Sequence, residues 1–273
     1  MEQKSSEKRI EKQQIQQELD KLVDIFEKED GKSFEEKKEE ALQYLKTMEE
    51  NILLGEQIIR SAEREHIGKN FRKKFWDFGT IVQSMEGIKL RNVENSDKDG
   101  FLMIQRENTI MPSMFQYEVF RERLWKEHIS VLGLVCSVLK DEEYVGYCGV
   151  KNLSCKKWEL MVELLRKWTD QGIGYRAMTV FLNEIKMRMD VSEFRIQVDP
   201  SNYASQRLVE KLGAVPNGVG EFILHGEEET KRCEERNMHL MDDRIRAVAE
   251  KFQVEPRVLL SHVLEYKLEW TKI

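Results

Sequence analysis

Gly172-Ile173-Gly174 is the segment of this sequence whose residue types and spacing most directly suggest chemistry. It lies between a strand-like apolar run and a helix-like one. The unpaired amides of a helix start point outward with the positive end of the helix dipole behind them, and glycine lets an anion approach that backbone closely. Two nucleotide-binding patterns can be tested on the same residues. A dinucleotide fingerprint needs a third glycine near Arg176 or Ala177, and a phosphate-binding loop needs Gly-Lys-Ser or Gly-Lys-Thr. Neither is present.

The remaining chemistry-bearing residues are sparse. Cys136, Cys148, Cys155 and Cys233 include no CxxC pair and sit mostly in apolar surroundings, so they read as buried free thiols and no metal site is expected. The basic and aromatic run from Phe71 to Phe78 holds only Arg72, Lys73 and Lys74, too few to anchor a duplex. Formal charge is −6 and is spread over the whole length, which opposes nucleic acid as a partner. A faint helix-turn-helix pattern over residues 248–264 has Gln253 in place of the turn glycine. No apolar run is long enough for a membrane span, and the first residues lack a signal-peptide pattern, so a cytoplasmic location with no membrane partner is expected.

Around the glycine turn, the pattern predicts the elements that must hold it. Ile15, Leu19, Leu22, Val23 and Phe26 recur at helical spacing, Asp30-Gly31 stops that helix, and Ser33 with Glu36 forms a capping-box pattern for a second one with Phe34, Ala41, Leu45 and Met48 inward. Ile52 to Ile59 continues helical. From Gly87 the texture changes: a strand at 88–93, helices between Asp97 and His128 bent at Met111-Pro112, and then three strands, Ile129–Leu139, Tyr144–Leu153 and Trp158–Leu165, in an antiparallel meander. A helix follows the glycines, with Met178, Phe181, Leu182, Ile185 and Met189 inward. Next come a strand from Phe194 to Val198, a short helix from Ser201 to Leu212, and Gly213 as its left-handed cap. After Glu227 the pattern predicts helices again, ending in a pair at 245–252 and 256–270.

The stretch Asp199-Pro200-Ser201-Asn202-Tyr203-Ala204-Ser205 to Lys211-Leu212-Gly213 resembles the second signature of the GNAT acetyltransferase superfamily. Thr169-Asp170-Gln171-Gly172-Ile173-Gly174 is similar to the first signature, with Thr169 where the family has Arg or Gln. Within the superfamily the resemblance is to the branch of ribosomal-protein N-terminal acetyltransferases: Glu159 opens the strand Trp158–Leu164, Asn202 and Ser205 form Asn-x-x-Ser, and Val209 stands where many relatives carry a tyrosine.

The resemblance implies an α+β fold, a mixed and mostly antiparallel sheet flanked by helices. It divides the chain into a helical extension (1–82), an acetyltransferase domain (83–226) and a helical C-terminal extension (227–273). It also implies acetyl-CoA as cosubstrate and transfer of acetyl to a primary amine, on a protein N-terminus or a small molecule, by direct attack on the thioester. Glu159 or Glu163 would take the amine proton, Ser205 would protonate the leaving thiolate, and a strand amide near Leu164 or Leu165 would hold the thioester oxygen. The backbone of Gln171, Gly172, Ile173, Gly174 and Tyr175 would meet the pyrophosphate, and Asn202 would orient the pantetheine or a water. Arg166, Lys167 and Gln171 could replace the side-chain donor absent at Thr169. Tyr117, Glu118, Phe120 and Trp125 belong to the segment that covers the acceptor site in the family.

An α-amine, at pKa ~7.7 to 8.0, needs less help from a base than a lysine at ~10.4. With no strong base evident, the reading leans to α-amines or low-pKa small amines. The alternative is a module on the same fold that binds acetyl-CoA or CoA without turnover, or presents its helical flanks to a protein partner or to a second copy.

Overall fold

The computed structural model describes residues 16–17, 19–46, 52–79, 81–83, 87–109, 111–221 and 226–271. It divides into two units, residues 1–70 and 71–273.

The first unit is helical: α1 (residues 19–27), α2 (Phe34–Leu45) and α3 (Ile52–Trp76), whose last turn and a half belongs to the second unit. The Ser33 hydroxyl accepts from the Glu36 amide and the Ser33 amide donates in return to the Glu36 carboxylate, so the expected capping box forms. Leu22, Ala41, Leu45 and Ile59 are its buried core. Met48, expected on the inner face, lies outside the described residues.

Among the described residues, the second unit has eight strands: β1 (Ile81–Gln83), β2 (Ile88–Asn92), β3 (Leu134–Lys140), β4 (Glu143–Val150), β5 (Trp158–Leu164), β6 (Glu193–Val198), β7 (Val215–Glu221) and β8 (His262–Glu269). Their spatial order is β1-β2-β3-β4-β5-β6-β8-β7. Every neighbouring pair is antiparallel except β5 and β6, which are parallel.

The helices cover this sheet in two groups. α6 (Ile173–Met189) lays Ile173, Ala177, Met178, Phe181, Leu182 and Ile185 into the larger core with Leu160, Phe194, Ile196 and Tyr266. That stripe has the three-and-four spacing of one helix face, which is why the sequence places it correctly. α4 (Lys98–Asn108) and α5 (Glu118–His128) enclose a second core of Phe101, Ile104, Trp125, Val135, Tyr147 and Leu165. With a core on each side, β4 is buried from Val145 to Val150 and shows none of the polar alternation of a one-sided strand.

The remaining helices are α7 (Tyr203–Leu212), α8 (Glu227–Asn237) and α9 (Asp243–Phe252). The structure corrects the expected helix over 256–270, and with it the all-helical C-terminal extension. Pro256–Leu260 is a short 3-10 turn, and β8 then enters the sheet between β6 and β7. In HVLEYKLE, Leu264, Tyr266 and Leu268 are buried and alternate with half-buried Glu265 and Lys267, which is the period of a strand. Tyr266 pairs with Ile196 and Leu268 with Phe194, so a partner far upstream in the chain decides the conformation.

Cys136 and Cys148 are buried, with burial pushing the Cys136 thiol up to about 12 and the Cys148 thiol well above its usual range. Cys155, expected to be buried, is exposed, and Cys233 is half-buried. The basic run is not a free patch either. Arg72 donates to the Ile129 and Ser130 carbonyls, and Phe75 is fully buried in the larger core.

Candidate functional site

β5 and β6 pair over only two positions, Trp158 with Phe194 and Glu159 with Arg195. Beyond them lies a cavity of roughly 600 Å³, its solvent-open side included. Leu160, Val162, Met178, Leu208 and Val209 line it from the α6 side, and Met161, Glu163 and Gln197 from the α4 side. Because residues from both faces of β5 line it, the gap passes through the sheet.

Backbone register decides what the β5 edge offers. The Glu159 carbonyl accepts from the Lys151 amide and the Leu165 amide donates to the Val145 carbonyl, both towards β4. Antiparallel alternation then turns the backbone groups of Met161 and Glu163 to β4, and those of Val162 and Leu164 to the gap. Of the two amides expected to hold an oxygen, that of Leu164 faces the gap. The Leu165 amide is committed to Val145, and the Leu165 side chain is buried in the second core.

The glycine turn lies at one end of this gap. Gly172 is the N-cap of α6 at φ 72°, a conformation glycine adopts without strain, and it has no side chain to cap the helix. The first α6 amides, from Ile173 to Tyr175, therefore have no capping side chain, while the Arg176 amide already bonds the Gly172 carbonyl. Gly174 permits a close approach, since a Cβ there would meet the Leu208 side chain of α7 at 2.9 Å.

The side chains expected to compensate for Thr169 are largely occupied. The Thr169 hydroxyl donates to the Arg166 carbonyl and the Gln171 amide group to the Lys167 carbonyl, while Lys167 pairs with Glu143 at 2.5 Å. A cation that sequence reasoning missed lies beside the first turn of α6: Lys211, its ammonium 4.5 Å from the Tyr175 ring centroid. The only sequence signal for it is the helix-ending Lys211-Leu212-Gly213, whose simpler meaning is a cap.

α7 borders the gap with Ser205, Leu208, Val209 and Leu212. Asn202 is its N-cap, accepting from the Ser205 amide at 3.0 Å, so the Asn-x-x-Ser spacing is also what a capped helix start requires. The Ser205 hydroxyl makes no hydrogen bond to a described side chain or backbone group.

The two candidate carboxylates have different surroundings. Glu159 is buried and held by two cations, Lys151 at 2.5 Å and Arg195 at 2.8 Å. Glu163 is half-buried at the gap, where the side-chain amides of Gln105 and Asn108 donate to its Oε2 at 3.1 and 3.2 Å. Gln105 also donates to the Tyr147 hydroxyl at 2.8 Å. Burial, and after it the neighbouring Glu163 carboxylate, holds that hydroxyl protonated well above the usual phenol range.

Of the acceptor-side residues, Trp125 is buried, Phe120 stacks edge-on against Phe115 at 5.3 Å, and Tyr117 and Glu118 are exposed. Behind them His128 packs on Phe101 at 3.9 Å, and burial lowers its imidazole to about 4. Among the described residues no cluster of three or more candidate metal ligands occurs, and no helix is long and apolar enough to cross a membrane.

Residues 88–215, which run from β2 to the start of β7 and include the gap and the glycine turn, match the model of the Acetyltransferase (GNAT) domain. No curated protein matches the chain. Solved structures similar to it include RimL, ribosomal L7/L12 alpha-N-protein acetyltransferase, in complex with coenzyme A, at 12% identity over 69% of this chain and 97% of that one, with a TM-score of 0.49. A GNAT-family acetyltransferase from Bacillus anthracis has 14% identity, coverage of 69% and 98%, and a TM-score of 0.48. The microcin C7 self-immunity acetyltransferase MccE, in complex with acetyl-CoA and AMP, has 11% identity, coverage of 68% and 93%, and a TM-score of 0.47.

Proposed function

We propose that this protein is an acetyl-CoA-dependent N-acetyltransferase that transfers acetyl to a primary amine, and that the reaction takes place in the gap between β5 and β6. One observation carries the reading: the gap passes through the sheet, with free backbone groups and the α6 amides on one side and a carboxylate on the other. That arrangement fits a thioester and an amine approaching from opposite faces.

The residues present fit acetyl-CoA, which when bound supplies the activated acetyl group. The amides of Ile173 to Tyr175, with Lys211 beside them, provide positive potential for a pyrophosphate. The backbone groups of Val162 and Leu164 offer an unpaired strand edge to the pantetheine amides, and the Leu164 amide can donate to the thioester oxygen as charge develops on it. Glu163 takes the amine proton. Glu159 is less suited to that role, because two cations already satisfy its oxygens. The Ser205 hydroxyl, at the gap and unclaimed, donates to the leaving thiolate; a thiol of pKa ~8.5 needs only modest acid help. The acceptor is an α-amine of a protein N-terminus or of a small molecule.

A second reading, a sensor that binds acetyl-CoA without turnover, draws on Val209, buried where many relatives carry a tyrosine. Thermal shift with acetyl-CoA and CoA, followed by free-thiol release with alaninamide as acceptor, separates the two. Stabilisation together with thiol release supports the enzyme. Stabilisation without release over a panel of peptides and polyamines supports the sensor, and no stabilisation by either ligand ends both.

A further inference from the structure

Glu163 on β5, Tyr147 on β4 and Gln105 and Asn108 on α4 form one hydrogen-bonded cluster at the α4 side of the gap. Both amide donors converge on a single carboxylate oxygen, Oε2, from the same helix one turn apart. The two amide donors occupy Oε2, which leaves Oε1 as the oxygen with more room to accept a proton from a substrate. Gln105 is itself fixed, because its Nε2 is shared between Oε2 and the hydroxyl of Tyr147, which is only 3% exposed. Tyr147 in turn packs against the stacked pair of Phe101 and His128, with ring centroids at 5.7 and 4.7 Å. The second core thus supports a chain of contacts that ends at one carboxylate oxygen. Neutral donors are well matched to a base, since they hold the group without cancelling its charge, whereas the cations around Glu159 would do both.

We propose that Gln105 and Asn108 are positioning residues that, backed by Tyr147, hold the Glu163 carboxylate with Oε1 turned to the acceptor amine, so that α4 sets the geometry of proton removal in a reaction whose base is on β5. This rests on the acetyl-transfer reading and on Glu163 as its base. A positioned base matters most when the amine holds its proton tightly. The loss on freeing Glu163 is therefore greater for a lysine side chain, pKa ~10.4, than for an α-amine at ~7.7 to 8.0.

The test uses the full chain with Gln105→Met, Asn108→Leu and the pair, assayed by thiol release with alaninamide and with Nα-acetyl-lysinamide. The expected result is a fall in kcat of about 10-fold for each single variant, an unchanged KM for acetyl-CoA, and a deficit several-fold greater with the lysine derivative. Gln105→Glu, which keeps the shape but sets an acceptor against Oε2, loses at least as much as Gln105→Met. If the wild type turns over and the variants match it, or lose equally with both amines, the positioning role is overturned and the acetyl-transfer reading stands. If the wild type releases no thiol with any amine, the reading fails and this role fails with it. Thermal unfolding of each variant identifies losses that come from misfolding, and Asn108→Leu, at an exposed position, keeps the proposal open to refutation should Gln105→Met prove unstable.

Discussion

The two ends of β5 carry the same chemical group in opposite settings. At the paired end, Glu159 is bracketed by Lys151 and Arg195 where β5 and β6 still pair. At the open end, Glu163 meets only neutral donors beside a cavity. Four residues apart on one strand face, they show that the partner, more than the residue type or its position, decides what a carboxylate can do. A buried carboxylate with a cation on each oxygen has its charge balanced where it stands. One held by neutral amides has no cation set against it.

The contrast can be broken by experiment, and the largest effect is expected at the open end. Glu163→Gln lowers thiol release by about 10² to 10⁴-fold while acetyl-CoA still raises the melting temperature, as expected for loss of a general base. Equal activity in the variant would remove the distinction between the two ends. Glu159→Gln does the reverse: it leaves turnover within about threefold and costs roughly 1 to 3 kcal/mol in denaturant unfolding, because Arg195 and Lys151 lose their shared counter-ion. The figure stays below that for a fully buried pair because both cations reach solvent.

A third experiment addresses the boundary of the gap. Gly174→Val forces the Leu208 side chain aside, since even a Cβ would come within 2.9 Å of it. The expected outcome is an acetyl-CoA Kd raised about 10-fold by calorimetry, with the Glu159 ion pairs and the fold retained.

The smallest effect concerns the second core behind Glu163. His128 is held neutral to about 4 against 6.5 when unfolded, so its folded pKa is depressed by burial. The unfolded chain takes up the proton first as pH falls. The contribution of His128 is whole above pH 6.5 and declines from there towards about 4, by up to roughly 3 kcal/mol. His128→Phe flattens that part of a stability-against-pH curve measured by urea unfolding. A slope identical to the wild type would show that other groups cause it.

Local pattern located the parts of this molecule that depend on local physics. The α6 stripe, the Ser33 capping box, the Gly213 turn and the meander from β3 to β5 follow from periodicity and turn chemistry, and Gly172 to Gly174 from the needs of a helix start. What stayed hidden depends on partners distant in sequence. β8 reads as helix because Leu260, Leu264 and Leu268 also repeat at helical spacing, and only pairing with β6 selects the strand. Gln105 and Asn108 carry no signal at all, being ordinary polar residues on a surface helix until Glu163 is placed beside them. Leu164 and Leu165 cannot be told apart without the register of β4 against β5.

The position of β8 also sets the order in which the protein can be completed during synthesis. β6 forms one wall of the gap, yet its outer neighbour is made of residues 262–269, which leave the ribosome after every residue of the proposed site. The glycine turn, both carboxylates and Ser205 all exist before the strand that braces β6. Closing that pair joins Phe194 to Leu268 across a long stretch of chain, a contact that slows folding and comes after the local ones. A nascent chain stalled before β8 carries the whole proposed site with one wall unbraced, so activity should be gained only once β8 has emerged and paired.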